Sequence, residues 1–223
     1  MKQTSIQRCI SCQEEYESNE VVYSCRKCGS LLEVSLPYVK ELDGLTLVRR
    51  WEAREKTIWR FREVIPLDGI IVSLKEGGTP LYLAERAAKW AGVKKLYVKF
   101  EGLNPTGSFK DRGMSVGVSK ALELRKRVVV CASTGNTSSS MSAYAAAAGL
   151  QAVVVVPKKG IAAGKLFQTI LHGAKTVQIR ESFDKALSSV LSTALGRDVY
   201  ILNSINPWRI EGQKTVAYEL WQE

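Results

Sequence analysis

The sequence predicts an α/β protein, a parallel sheet with flanking helices, preceded by a small four-cysteine module. Three observations carry this. Val/Ile-rich runs such as Val128 to Cys131 and Gln151 to Val156 lack the strict alternation of a half-solvated strand, so they read as strands buried on both faces. They alternate with helical stretches, the pattern of βαβ units in a parallel sheet. Four of the 5 cysteines fall in two Cys-x2-Cys pairs near the N-terminus, Cys9/Cys12 and Cys25/Cys28.

A Cys-x2-Cys pair brings two thiolates onto one turn, and two such pairs complete a tetrahedron of soft ligands that suits zinc. Cys9, Cys12, Cys25 and Cys28 therefore read as ligands of a structural metal, because four protein ligands leave no position open for water. Within this zinc ribbon, residues 1–36, Glu20 to Ser24 and Leu31 to Ser35 read as a hairpin, and Gly29 as a knuckle needing positive φ. A ribbon can also bind nucleic acid. Residues 1–56, however, balance nine Lys/Arg against nine Asp/Glu, and phosphate-backbone affinity rests on cations. No nucleic-acid partner is expected.

Residues 37–80 read as a connector packed on the body, with a helix from Arg49 to Phe61 and a loop at Glu76 to Pro80. The α/β body spans 81–223. Its helices are Ala84 to Ala91, Phe109 to Arg125, Thr137 to Ala148, Gly164 to His172, Ser182 to Leu195 and Glu211 to Trp221. Its strands are Leu96 to Phe100, Val128 to Cys131, Gln151 to Val156, Lys175 to Ile179 and Tyr200 to Leu202. Cys131 reads as a buried strand residue.

The chain has 223 residues, 45% hydrophobic and 24% charged, an ordinary globular composition that excludes a collagen, a coiled coil or a largely disordered chain. No apolar run approaches the ~20 residues of a membrane span, and the N-terminus lacks the apolar core of a secretory signal. No membrane partner and a cytoplasmic location are expected. The net charge of +10 is uneven: residues 84–130 hold eleven basic and four acidic residues, which points to small acidic ligands. Arg125-Lys126-Arg127 and the lone His172 sit where cations complement helix C-termini, so neither is given a catalytic role.

In open α/β sheets, ligands bind at the carboxyl ends of strands, in loops that enter helices. Three such loops are chemically unusual. In Asn104-Pro105-Thr106-Gly107-Ser108-Phe109-Lys110-Asp111-Arg112-Gly113, Ser108 is a plausible N-cap that sets Lys110 in the first helical turn. The positive end of a helix lowers an ammonium pKa, and a neutral amine is what Schiff-base chemistry needs. The second loop, Ser133-Thr134-Gly135-Asn136-Thr137-Ser138, gathers hydroxyls, an amide and backbone N–H groups at a helix start, either an anion cradle or a well-capped helix. The third, Asn203 to Arg209, adds amides, a hydroxyl and an arginine able to grip phosphate through two parallel bonds.

These segments, with Gly78-Thr79-Pro80-Leu81 and Glu211-Gly212-Gln213-Lys214-Thr215, make the chain resemble threonine synthase, among the fold type II pyridoxal-phosphate enzymes. The resemblance covers nearly the whole chain. It implies pyridoxal 5'-phosphate bound covalently on Lys110, Phe109 beside it, and Asn136 bonding the cofactor's ring hydroxyl. It implies that Ser133, Thr134 and Thr137 hold the substrate carboxylate and that Asn203, Ser204 and Arg209 hold its phosphate. The implied reaction converts O-phospho-L-homoserine and water to L-threonine and phosphate. Similar relatives would be a cysteate synthase, which uses phosphoserine, or a serine/threonine dehydratase.

The chain departs from that family in stopping at Trp221-Gln222-Glu223, before the Gly-rich loop expected to cradle the cofactor's phosphate. The expectation is an incomplete body, inactive or very weak alone, with an exposed edge through which copies associate. A truncated, non-catalytic zinc-binding fragment is the competing reading.

Overall fold

The structure is a computed structural model that describes residues 5–157, 163–179 and 198–223. Near the N-terminus, β1 (Ile6–Cys9) pairs antiparallel with both β2 (Glu15–Glu17) and β3 (Leu32–Ser35), giving the order β2-β1-β3. The strand expected at Glu20 to Ser24 does not form. The Glu20 N–H closes a turn on the Glu17 carbonyl at 3.1 Å, and Tyr23 turns out of the ribbon to pack on the main body. The knuckle at Gly29 does adopt positive φ, 75°.

The expected helix from Arg49 to Phe61 is two elements. Helix α1 (Gly44–Glu52) is capped by Asp43, whose side chain accepts from the Thr46 N–H. Thr57 then lies in extended backbone and opens a separate 3-10 segment, Ile58–Val64, by accepting from the Trp59 N–H. Leu47, Trp51, Ile58, Phe61, Val64 and Ile65 form one cluster with Val116 of the body, and Trp51 meets Phe61 edge-on at 5.0 Å. Trp59 Nε1 donates to Ser115 Oγ at 2.9 Å, a further tie to the body.

Strand β4 (Leu81–Leu83) runs into α2 (Glu85–Ala91) and returns as β5 (Tyr97–Lys99), antiparallel to β4. The strand expected at Leu96 to Phe100 thus belongs to a separate two-stranded sheet. Tyr97 and Val98 are both exposed, unlike Val129 to Cys131 and Val154 to Val156 of the main sheet.

That main sheet is parallel, in the order β8-β7-β6-β9. It contains β6 (Val128–Ala132), β7 (Gln151–Pro157), β8 (Lys175–Ile179) and β9 (Val199–Ile201). Around it lie α3 (Lys110–Glu123), α4 (Asn136–Ala147) and α5 (Ala163–Leu171). The core gathers Met114 and Val118 of α3, Val129 and Cys131 of β6, Met141 and Tyr144 of α4, and Val154 and Val156 of β7. Cys131 is fully buried, as expected of a strand residue. The helix expected over Ser182 to Leu195 lies outside the described residues.

The expected helix Glu211 to Trp221 starts earlier and breaks. Asn206 caps α6 (Pro207–Gln213) by accepting from the Trp208 N–H at 3.0 Å. A second helix, α7 (Thr215–Gln222), follows Lys214. The break coincides with Thr215, whose hydroxyl donates to the Gly212 carbonyl at 2.6 Å, a back-bond that bends helices. Among the described residues, no helix is long and apolar enough to cross a membrane.

Candidate functional site

Strands β6 and β9 are neighbours in register, with Val130 beside Ile201, so the loops at their carboxyl ends start side by side. Asn203 joins them. Its Oδ1 accepts from the Ala132 N–H at 3.0 Å and its Nδ2 donates to the Ala132 carbonyl at 2.9 Å. The side chain thus continues the ladder one step past the strand and keeps one N–H free of Ala132.

Lys110 opens α3. Ser108 supplies the expected side-chain bond, accepting from the Lys110 N–H at 3.3 Å, but the cap position itself is held by Phe109. Lys110 Nζ stands 4.3 Å from the centre of the Phe109 ring. Burial, and next the positive charge of Arg209, lower the Lys110 pKa.

Arg209 is 2% exposed. Its Nη1 donates to the Leu202 carbonyl at 3.1 Å, and its Nε is buried with no partner among the described residues. Burial pushes its pKa down to about 10. Cations this deep are normally paired with an acid. Burial pushes the Cys131 thiol, which contributes to the same surroundings, up to about 12, so it stays protonated and inert.

In the second loop, Ser133 Oγ accepts from the Gly135 N–H at 3.2 Å. Gly135 then leads into α4 with no side-chain cap, leaving first-turn N–H groups that no carbonyl of the same helix satisfies. Thr134 and Thr137 are half-buried, and Asn136 and Ser204 are exposed. The following serines are committed to the helix: Ser138 Oγ donates to the Gly135 carbonyl and Ser142 Oγ to the Ser138 carbonyl, each at 2.7 Å. A lysine of lowered pKa, a buried arginine with no acid partner among the described residues and an uncapped helix start together suit an anionic ligand that condenses with an amine.

Sequence reasoning missed the scaffold beneath these loops. Asp111, fully buried, accepts from the Thr106 N–H and hydroxyl and from Ser140 Oγ of α4. Lys165 of α5 donates to the Thr106 carbonyl at 2.9 Å. Arg112, also fully buried, pairs with Glu101 and Glu219, each at 2.7 Å. Helices α3 and α6 approach backbone to backbone at Gly212, where a Cβ would stand 2.0 Å from the Arg112 carbonyl oxygen. The only advance signal was acids and glycines next to Lys110 and Arg209, and a sequence does not say what they touch.

The four cysteine sulfurs lie within 4.8 Å of one another. Cys9 and Cys28 are 3.5 Å apart, as are Cys12 and Cys25. The Ser11 and Cys12 N–H groups both donate to Cys9 Sγ at 3.4 Å. The Tyr16 hydroxyl donates to Cys25 Sγ at 3.3 Å and is the main cause that draws that thiol down to about 6. At Cys12 the backbone lowers the pKa, but burial and the three neighbouring sulfurs carry it up to about 12. Four such thiols become thiolates together only around a cation, and the set fits tetrahedral zinc.

Residues 72–223 match the family model described as pyridoxal-phosphate dependent enzyme. Threonine synthase of Methanocaldococcus jannaschii is 49% identical over 217 residues, covering 96% of this chain and 53% of the relative. Threonine synthase of Methanosarcina acetivorans is 47% identical over 214 residues, 96% of this chain and 52% of the relative. The chain thus spans about half the length of the curated relatives it matches. Among solved structures, serine racemase of Dictyostelium discoideum superposes with a TM-score of 0.55 at 28% identity, over 65% of this chain and 47% of that one. Diaminopropionate ammonia lyase of Escherichia coli gives 0.61 at 20% identity, over 68% and 49%, a likeness of fold. With nearly all of its length aligned to threonine synthases and two thirds of it matched by one family model, the chain belongs to the pyridoxal-phosphate dependent enzymes.

Proposed function

We propose that the chain carries the lysine-bearing part of a threonine-synthase-type lyase, which converts O-phospho-L-homoserine and water to L-threonine and phosphate. The observation that carries this is Arg209, a buried guanidinium with an unpartnered Nε and no carboxylate partner among the described residues. A phosphate is the chemistry that would complete it.

Lys110 would hold pyridoxal phosphate through its Nζ, with Phe109 beside it and Asn136 directed to the ring hydroxyl. When bound, the cofactor supplies a sink for the electron pair left at Cα. Lys110 Nζ takes and returns protons at the substrate carbons. Its lowered pKa favours the neutral, basic amine. Ser133, Thr134 and Thr137 would hold the substrate carboxylate at the uncapped start of α4. Asn203, through its remaining N–H, Ser204 and Arg209 would hold the phosphate and stabilise the charge that develops as it leaves Cγ. Water supplies the hydroxyl at Cβ. The four cysteines would hold a structural zinc ion, and the site's position in the ribbon gives it no part in the chemistry. This reading places the protein in the cytoplasm.

Two measurements test it. The chain titrated with pyridoxal phosphate develops a visible absorbance band that is absent in Lys110→Ala. Joined to the remaining length found in its relatives, it releases phosphate from O-phospho-L-homoserine faster than from O-phospho-L-serine, and Arg209→Met abolishes that preference. A wild-type chain with no Lys110-dependent band leaves a non-catalytic zinc-binding protein.

A further inference from the structure

We infer that the four-cysteine ribbon buttresses the Asn203–Arg209 loop, and that Tyr23 is the positioning residue through which the metal site holds that loop in shape. The inference deepens the proposed function, since that loop carries the residues assigned to phosphate.

Among the described residues, strand β9 is the edge of the main sheet. Its inner side is paired with β6, and the ladder runs on through the Leu202 N–H to the Val130 carbonyl at 2.8 Å. The Ile201 N–H faces the other way, where an edge strand has no neighbour. Ile201 is fully buried, so this donor would be orphaned. The Tyr23 hydroxyl accepts from it at 2.7 Å, across 178 residues of sequence. The Tyr23 ring also lies 6.0 Å from the Tyr200 ring and packs against Val130, Val155 and Ile201.

Tyr23 stands two residues before Cys25, one of the four ligands. Its placement therefore follows the metal knuckle. The ribbon makes a second contact: β3 lies against α6, the helix that contains Arg209. The ribbon thus touches both the strand that enters the loop and the helix that leaves it.

Between those contacts the loop is anchored by Asn203, bonded twice to Ala132, and by bonds back to the end of β9. The Ile201 carbonyl accepts from Asn206 Nδ2 at 2.7 Å, Asn206 caps α6, and Arg209 Nη1 binds the Leu202 carbonyl. Two of these bonds end on the carbonyls of Ile201 and Leu202, and the cap follows from the first through Asn206. A shift of Ile201 passes directly to Asn206 and Arg209. Without metal, the four cysteines lose the cation that gathers them to one point and the knuckle loosens, and the Ile201 N–H loses its acceptor.

Amide hydrogen exchange tests this without any substrate, in the zinc-loaded chain, the chelator-treated chain and zinc-loaded Tyr23→Phe. Tyr23→Phe keeps the ring and removes the acceptor. Exchange at Ile201 and across 203–209 is expected to rise at least tenfold on metal removal. A similar rise is expected in Tyr23→Phe while its zinc content stays at wild-type level. Inorganic phosphate, followed by Trp208 fluorescence, should bind severalfold more weakly in both. Unchanged exchange across 199–209 in metal-free protein whose ribbon amides exchange freely would overturn the inference, as would a silent Tyr23→Phe. If the wild-type chain shows no Arg209-dependent phosphate binding, the assignment of the loop to phosphate fails, and the exchange arms still decide whether the ribbon holds it.

Discussion

Thr106 and Asp111 are joined twice: the Thr106 N–H donates to Asp111 Oδ2 at 2.7 Å and its hydroxyl to Oδ1 at 2.5 Å. Oδ1 also accepts from Ser140 Oγ of α4. One carboxylate thus ties the loop leading to Lys110 to the helix that starts beside Ser133. Asp111→Asn turns an amide N–H toward groups that can only donate there or must rotate. A loss of about 2–3 kcal/mol is expected, the range for a buried bond to a charged group. Ser140→Ala, which removes one donor and leaves the carboxylate two, should cost about 1 kcal/mol. Denaturant unfolding of the two variants checks the order, and Asp111→Asn should also weaken the Lys110-dependent absorbance band.

Lys110 sets a dependence on alkaline pH. Its folded pKa is below the ordinary 10.5, from burial and then from Arg209. Between those two values the folded chain binds fewer protons than the unfolded one, so this residue's contribution to stability rises with pH there. Below the folded pKa, its charge costs stability. Lys110→Met should therefore be more stable than wild type at neutral pH, with the difference shrinking toward pH 10.5. Arg209→Met removes the second cause and should move the pH midpoint of cofactor-band formation upward. A midpoint that stays put or falls would mean that Arg209 does not act on the amine.

At the other end of the range, Glu219 dominates. Burial opposes its ionisation, but hydrogen bonds from Arg112 outweigh that and hold it down to about 2 from an ordinary 4.5. The stability this pair contributes is complete above about 4.5 and is lost as pH falls toward 2. Both side chains are fully buried. Glu219→Gln leaves the Arg112 charge short of a partner and should cost about 3–5 kcal/mol at neutral pH. Its acid limb should be correspondingly flatter. Equal slopes for wild type and variant between pH 4.5 and 2 would place the acid sensitivity elsewhere.

What was legible in the sequence follows from the range of each signal. Val128 to Cys131 and Gln151 to Val156 were readable because strands buried on both faces write continuous apolar runs. Of the ribbon strands only Leu32 to Ser35 was; β1 and β2 were not, because Gln7, Arg8, Glu15 and Glu17 carry no such pattern. Periodicity found a strand near Tyr97 but does not encode which sheet it joins. Lys110, Asn136 and Arg209 stood out because charged and polar residues in loops after strands are chemically conspicuous. Their supports did not: Asp111 reaches Ser140 across 29 residues and Arg112 reaches Glu219 across 107, and nothing local records either contact.

Gly212 gives the sharpest steric test of that scaffold. A Cβ there would meet the Arg112 carbonyl oxygen at 2.0 Å and its carbon at 2.7 Å, both backbone atoms that cannot rotate aside. From the opposite helix, a Cβ on Gly113 would meet the Arg209 carbonyl oxygen at 2.9 Å. Gly212→Ala must push α6 off α3, and Arg209 moves with α6, away from Lys110. A cost of about 3 kcal/mol is expected, the upper end for overpacking a tight contact, together with weaker binding of inorganic phosphate. Gly44→Ala is the matched control. It lies at the start of α1 with nothing within 4 Å of its Cβ, so it should gain up to about 1 kcal/mol from the unfolded state alone and leave phosphate binding unchanged. Thermal unfolding of the pair separates the helix contact from a general intolerance of alanine for glycine.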